Sequence, residues 1–584
     1  MPVIRFRPSS IAGLTLLLSG FVLGQSNTLV NMDDFQPGDV RFSGFQLVDE
    51  SAVDLEVALL KPRRSDDDLL FTYTWILDSD TRDVVWEAFR SEEADREGES
   101  IILKKTLTLP PGTYETYYST YPYYNRWGED HSHYNGIVSG LMDLLFDHDI
   151  DAHYFKEDFE DLYFHIFGQG EPLNAEEVSA RQQVLKDQSV LSLTPERDDI
   201  YNVRQIRVKE PVRVRLYALG EARKDETFDF GWITNVRTRE RVWQFRYRHS
   251  DHAGGAYKNR LVDKEIELEP GDYDVVYVTD DSHSYHNWNM AAPFDPAFWG
   301  LTLWCVKPEE KNLVGTIDEA ESEIWHTIIK NDKARDNDYF AAGFTLKKQM
   351  DVFISSMGEG RDDEMYDYAW IVRAGQSHQK VWSMDYYDTE PAGGAEKNRL
   401  FDGVINLEAG NYIVYYVTDD SHAYNSWNAA KPFNPEAWGV SVSVPGDEYK
   451  KGNVGSYVEE EDPSILAKIV RVGDRARKQE KFSIDKDRYI HIYALGEGDR
   501  DEMYDFAWIE NAYTGKIIWE MTYRKTENAG GARKNRMYDD RVLLPAGEYY
   551  VIYETDDSHA FGDWNDSPPY DQMNYGITIS YAEK

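Results

Sequence analysis

The chain has 584 residues, room for several independent cores, and a formal net charge of −42 from 63 Lys plus Arg against 105 Asp plus Glu. A surface this acidic repels phosphate and argues against nucleic acid or anionic lipid as a partner of the whole chain. With 41% hydrophobic and 14% aromatic residues the chain is too apolar for an acidic disordered segment, and its single cysteine, Cys305, rules out an intrachain disulfide.

The first residues read as an export signal over 1–24. Arg5 and Arg7 precede the apolar run Ile11–Leu23, which is too short to span a bilayer comfortably. No later segment is apolar enough to span, so no membrane span is expected after cleavage. The expected location is outside the cytoplasm: a bacterial periplasm, the cell surface or the exterior, since disulfides are absent.

Four β-rich units follow. Residues 25–170 form the first, with Trp75 and Trp86 spaced as in later copies and a partly helical insertion over 125–161. That insertion carries Asp130, His131, His133, Asp147, His148, Asp149, Asp151 and His153, read as a solvated acidic stretch or a zinc or calcium site. A linker is expected over 171–186, then units over 187–306, 325–445 and 463–584, separated by acidic linkers over 307–324 and 446–462. Some hinge freedom is expected of the last two linkers, with a short docking strand possible in either. Alternation at Val214, Leu216 and Ala218, at Val352, Ile354 and Ser356, and at Ile490, Ile492 and Ala494 gives strands with one buried face. Glycine turns such as Gly410 and Gly547 join strand pairs. The fold class expected is all-β: four tandem antiparallel β-sandwiches, jelly-roll-like, the first degenerate.

Three units repeat closely. Glu221, Glu359 and Glu497 lie 138 residues apart, and AGGAxKNR blocks end at Arg260, Arg399 and Arg536. Asp-Asp-Ser-His runs place His283, His422 and His559 each 23 residues beyond the arginine. Trp75, Trp232, Trp370 and Trp508 occur in all four copies and read as core residues. The polar set is confined to the last three copies. It comprises Glu221, Asp229, Lys258, Asn259, Arg260, Asp280, Asp281, Ser282, His283, Trp288 and Asn289 in the first of these. The counterparts are Glu359, Asp367, Arg399, Asp419, Asp420, His422, Trp427 and Asn428, then Glu497, Asp505, Arg536, Asp556, Asp557, His559, Trp564 and Asn565. In the first copy Arg64 and Thr72 stand where Glu221 and Asp229 would be.

Three readings of this set stay open. It is a structural network in which Arg260 pairs with Asp280 or Asp229 and the Asp-Asp-Ser-His run caps a loop. Alternatively it is a ligand site, with the paired glycines admitting close approach and Trp288 offering an apolar face. The third reading is a calcium site with oxygens from Asp280, Asp281 and Glu221. A Ser282–His283 hydrolase is disfavoured, because successive side chains of an extended strand point apart.

The order of signals, with "IENAYTGKIIWEM" followed by "LPAGEYYVIY" and a closing "YGITISY", resembles the secreted bacterial pre-peptidase C-terminal domains and, more loosely, GOLD-type sandwiches. That resemblance implies accessory binding modules with no catalytic residues. The expected function is therefore an exported binding protein for a glycan, a cell-wall component or a surface protein. The alternative is a structural spacer or surface-assembly protein with buried polar networks.

Overall fold

The computed structural model describes residues 27–36, 38–60, 69–70, 72–88, 94–97, 100–121, 123–124, 161–224, 226–318, 324–374, 379–458 and 463–582. The signal segment and nearly all of the 125–161 insertion, including its histidines, lie outside these residues.

The described chain is all-β, built from antiparallel sheets in which one strand order recurs. In the third copy Trp325–Asn331, Gly439–Pro445, Met350–Arg361 and Asn398–Leu407 form one sheet. Lys380–Ser383, Tyr368–Arg373, Gly410–Val417 and Tyr339–Leu346 form the other. The first and fourth copies repeat this order. In the second copy the two sheets join, because Val212–Arg223 also pairs with Glu226–Asn235 at Glu221↔Asp229.

Side-chain alternation explains why each sheet has an inner face. Val212 and Val214 are buried while Arg213 is exposed between them, and Ile490 and Ile492 are fully buried beside the exposed Tyr489. Each of four apolar cores draws on both sheets of its copy. The glycine-turn tyrosines Tyr114, Tyr273, Tyr412 and Tyr549 enter these cores, and each donates its hydroxyl to a carbonyl four residues back, at 2.8 to 2.9 Å. Cys305 is half-buried against the second core. Among the described residues no helix is long and apolar enough to cross a membrane.

Two expectations need correction. The hinge freedom expected of the last two linkers gives way to the alternative of a docking strand in each, and the 171–186 segment docks as well. Glu171–Leu173 pairs with Gly44–Gln46, Val314–Ile317 with Gln205–Val208, and Val454–Tyr457 with Gly343–Leu346, so each adds a strand to the sheet before it. The 171–186 stretch also holds the helix Ala175–Gln188, whose Asn174 cap and Glu177 form a capping box. The second correction concerns the tryptophans. Trp75 and Trp370 are fully buried, yet they lie outside the four sandwich cores, on outer sheet faces covered by the next copy.

Candidate functional site

The three-copy set occupies one end of each sandwich, where the AGGAxKNR loop meets the loop after the Asp-Asp-Ser-His run. Asn259 ties the two loops together. Its amide donates to the Gly254 carbonyl at 2.8 Å and the Ala291 carbonyl at 2.9 Å, so its oxygen accepts from His283 Nε2 at 2.6 Å. Asn398 with His422 and Asn535 with His559 repeat the arrangement at 2.7 Å. Each histidine is 0% exposed, edge-on to Trp288, Trp427 or Trp564, and held at positive φ between 59° and 62°. Burial and the nearby Lys397 or Lys534 charge push His422 and His559 down to about 4, and burial with Lys258 lowers His283 in the same direction.

A second branch begins at Asp229, also fully buried. Its carboxylate accepts the Asp280 N–H at 3.0 Å and the Trp299 indole N–H at 2.9 Å. Asp367 and Asp505 do the same for the Asp419 and Asp556 N–H groups, with Trp438 and Tyr575 as their side-chain donors. Asp280, Asp419 and Asp556 in turn accept from the N–H two residues on, which closes the run as a turn. Burial and the neighbouring Asp280 or Asp419 raise the Asp229 and Asp367 carboxyls, and burial pushes Asp505 up to about 7.

The third branch supplies the positive charge. Lys258 Nζ lies 3.0 Å from Glu221 and donates to Asn289 at 2.8 Å; Lys397 pairs with Glu359 at 2.9 Å and Lys534 with Glu497 at 3.1 Å. Burial carries Glu221 up to about 7 even beside this lysine. The second carboxylate oxygen of Glu221, Glu359 and Glu497 is buried without a hydrogen bond. In the third and fourth copies Glu359, Asp367 and Asp419, and Glu497, Asp505 and Asp556, bring one oxygen each within 4.8 Å of one another. Such a trio could contact one divalent cation, but the lysine already places a cation on the glutamate, and both oxygens of Asp367 and Asp505 are engaged by N–H or O–H donors.

Arg260 does not join this network. It donates to the Ser250 hydroxyl at 3.1 Å and to the Ser250 carbonyl, and it lies over the Tyr247 ring; Arg399 and Arg536 repeat this on Thr389 with Tyr386 and on Thr526 with Tyr523. The expected pairing with Asp280 or Asp229 is therefore replaced by a hairpin clasp. Asp281, Asp420 and Asp557 are exposed, as are Asn289, Asn428 and Asn565. Among the described residues no hydrogen bond joins Ser282 to His283, whose Nε2 is committed to Asn259.

The paired glycines acquire a different purpose from the one expected. A Cβ on Gly254 would lie 2.4 Å from the Phe294 ring, and one on Gly393 or Gly530 would lie 2.0 Å from the Phe433 or Tyr570 ring. A Cβ on the following glycine would lie equally close to a carbonyl oxygen, 1.9 Å from that of Ala292 for Gly255. The loop is thus bare so that an aromatic ring can lie against it.

That ring is the contact with the preceding copy. Phe294 packs 6.0 Å from both Tyr73 and Trp75, and Trp75 donates to the Phe294 carbonyl at 2.7 Å. Phe433 meets Phe230 at 5.5 Å, and Tyr570 meets Tyr368 at 5.8 Å and Trp370 at 6.0 Å. Charged clamps reinforce two of the three junctions. Arg82, almost fully buried, bridges Glu115 and Asp295, which also accepts from Tyr217. Arg239 bridges Asp274 and Asp402 at 2.7 Å each, beside Arg241 with Glu390. Burial opposes ionisation of Glu115, but Arg82 outweighs it and holds the carboxyl below its usual range.

Sequence reasoning singled out most of the network but missed Phe294, Phe433 and Tyr570. The signal was there: PFDP, PFNP and PYDQ recur at one place in each copy.

No protein-family model matches the chain, and no curated protein matches it. Among solved structures it is similar to the CUB1-EGF-CUB2 domain of human MASP-1/3 at 10% identity, over 44% of this chain and 100% of that one, with a TM-score of 0.14, too low to argue from.

Proposed function

We propose that this chain is an exported, non-enzymatic scaffold in which the three-copy polar set is a docking device. The network ties the paired-glycine loop to the loop after the Asp-Asp-Ser-His run, that second loop lays an aromatic ring against the glycines, and the ring seats on the outer face of the sandwich before it. The array then acts as a stiff spacer at or beyond the cell surface, holding what its exposed faces bind, a glycan or a surface protein, at fixed separations. The observation that carries this reading is the seating of Phe294, Phe433 and Tyr570 on Tyr73 with Trp75, on Phe230, and on Tyr368 with Trp370.

Small-angle X-ray scattering of the full chain tests it. One rigid shape is expected to fit the wild type, and Phe433→Ala with Arg239→Ala should introduce bending between the second and third copies. Scattering from the wild type that requires freely jointed units would overturn the proposal.

A further inference from the structure

The outer edge of one strand is treated differently in the last copy. In the first three copies the free side of the second strand is covered by an antiparallel strand from the segment that follows. The equivalent strand of the last copy, Arg477–Ile484, pairs with Gly547–Glu554 on one side, and among the described residues no strand pairs with its other side.

Register identifies the open groups. Leu346 opposes Gly410 and Ile484 opposes Gly547, so Thr345 corresponds to Ser483 and Gly343 to Lys481. Lys347 N–H donates to the Asn453 carbonyl at 2.9 Å, towards the covering strand. By two-residue alternation the N–H and C=O groups of Thr345 and Gly343 point the same way, and those of Ser483 and Lys481 point outward. An open edge of this kind is a template for an added strand.

The charge around this edge is opposite to that of the chain. A groove of about 580 Å³ beside it is lined by Lys468, Arg471 and Lys478, which make no ion pair among the described residues, and by Asp474 and Glu480, so its lining carries one net positive charge, whereas Arg477 and Lys481 pair with Glu554 and Glu548. The covering strands Val314–Ile317 and Val454–Tyr457, reading VGTI and VGSY, lead into the acidic runs DEAESE and VEEED. We infer that the edge Arg477–Ile484 receives an extended segment of another polypeptide, an apolar–Gly–polar–apolar strand followed by carboxylates, added antiparallel to the sheet.

The probe is a fluorescent peptide copying residues 452–462, titrated against the full chain by fluorescence anisotropy. Saturable binding that weakens with salt is expected. N-methylation of the peptide glycine corresponding to Gly455, whose N–H faces the Thr345 carbonyl in the covered edge, should weaken it at least tenfold. Ser483→Pro, which deletes one outward donor and spares the pairing with Gly547–Glu554, should do the same, with the melting curve as its folding check. Lys478→Glu should flatten the salt dependence. No saturation at millimolar peptide, equal affinity of the N-methylated peptide, or binding that survives Ser483→Pro, as exchange into the covered third-copy edge would, overturns the inference.

Discussion

Replacing His422 by Ala in the full chain separates a buried network from an exposed site. The wild-type imidazole donates to Asn398 at 2.7 Å and packs edge-on to Trp427 and Trp438 at 5.2 and 5.8 Å. Removing it leaves the Asn398 oxygen buried without its donor, which costs about 1 to 3 kcal/mol. The ring void between two indoles adds about 1 to 2 kcal/mol, below the Phe→Ala range because imidazole is smaller. The expected loss is about 3 kcal/mol, which at about 4 °C per kcal/mol for a unit of this size lowers its melting transition by about 12 °C. Differential scanning calorimetry reads this directly, with exposed Asp420→Ala as a control expected to stay within about 0.5 kcal/mol. A His422→Ala transition within 2 °C of wild type would refute the network reading, because no buried hydrogen-bonded ring is removed that cheaply.

Other consequences are equally concrete. Arg82→Ala leaves Glu115 and Asp295 buried without their cation, so the junction between the first two copies should lose about 3 to 5 kcal/mol, read as faster proteolysis near the helix Ala175–Gln188. Asp505 sits at about 7 when folded, facing Glu497, Asp556, Tyr575 and the lysine Lys534 paired with Glu497. The folded state therefore binds more protons than the unfolded state between about pH 4 and 7, and this contribution to stability is present below that window and lost as pH rises through it. Asp505→Asn should flatten that part of the melting-temperature profile; an unchanged slope contradicts the assignment. His422, lowered to about 4, acts oppositely, losing stability as pH falls from about 6.5. Because Lys397 and Lys534 already supply a cation to Glu359 and Glu497, millimolar calcium should shift the melting temperature by less than about 1 °C, and a rise of several degrees would make the carboxylate trios metal sites.

The sandwich fold was legible because burial follows period two so closely at Val214, Leu216, Ile490 and Ile492. The docked linkers were less so: VGTI and VGSY are only four residues long with charged and polar neighbours, so the sequence left a docking strand there as an alternative without placing it. Trp75 and Trp370 looked like core because a sequence reports that a side chain is buried without reporting what buries it. Arg260 misled for a related reason. A charge beside aspartates invites an ion pair, yet the hydroxyl and carbonyl of Ser250 and the Tyr247 ring were nearer.

The first copy clarifies why the polar set is kept or lost as a block. Its Thr72, in the place of Asp229, accepts the Leu60 N–H at 2.9 Å, a strand contact where Asp229 accepts the N–H of the Asp280 turn. The last copy differs at the opposite junction. The turn that carries Arg82 and Arg239 at φ 67° and 57° carries Gly515 at 64° in the last copy, so the backbone form is retained without the clamp. A residue of either kind tolerates the left-handed turn, but only arginine reaches Asp295 or Asp402 in a following copy. Among the described residues the junction of the third and fourth copies also has no such clamp and is made by Tyr570 on Tyr368 and Trp370, so the seated ring is what all three junctions share.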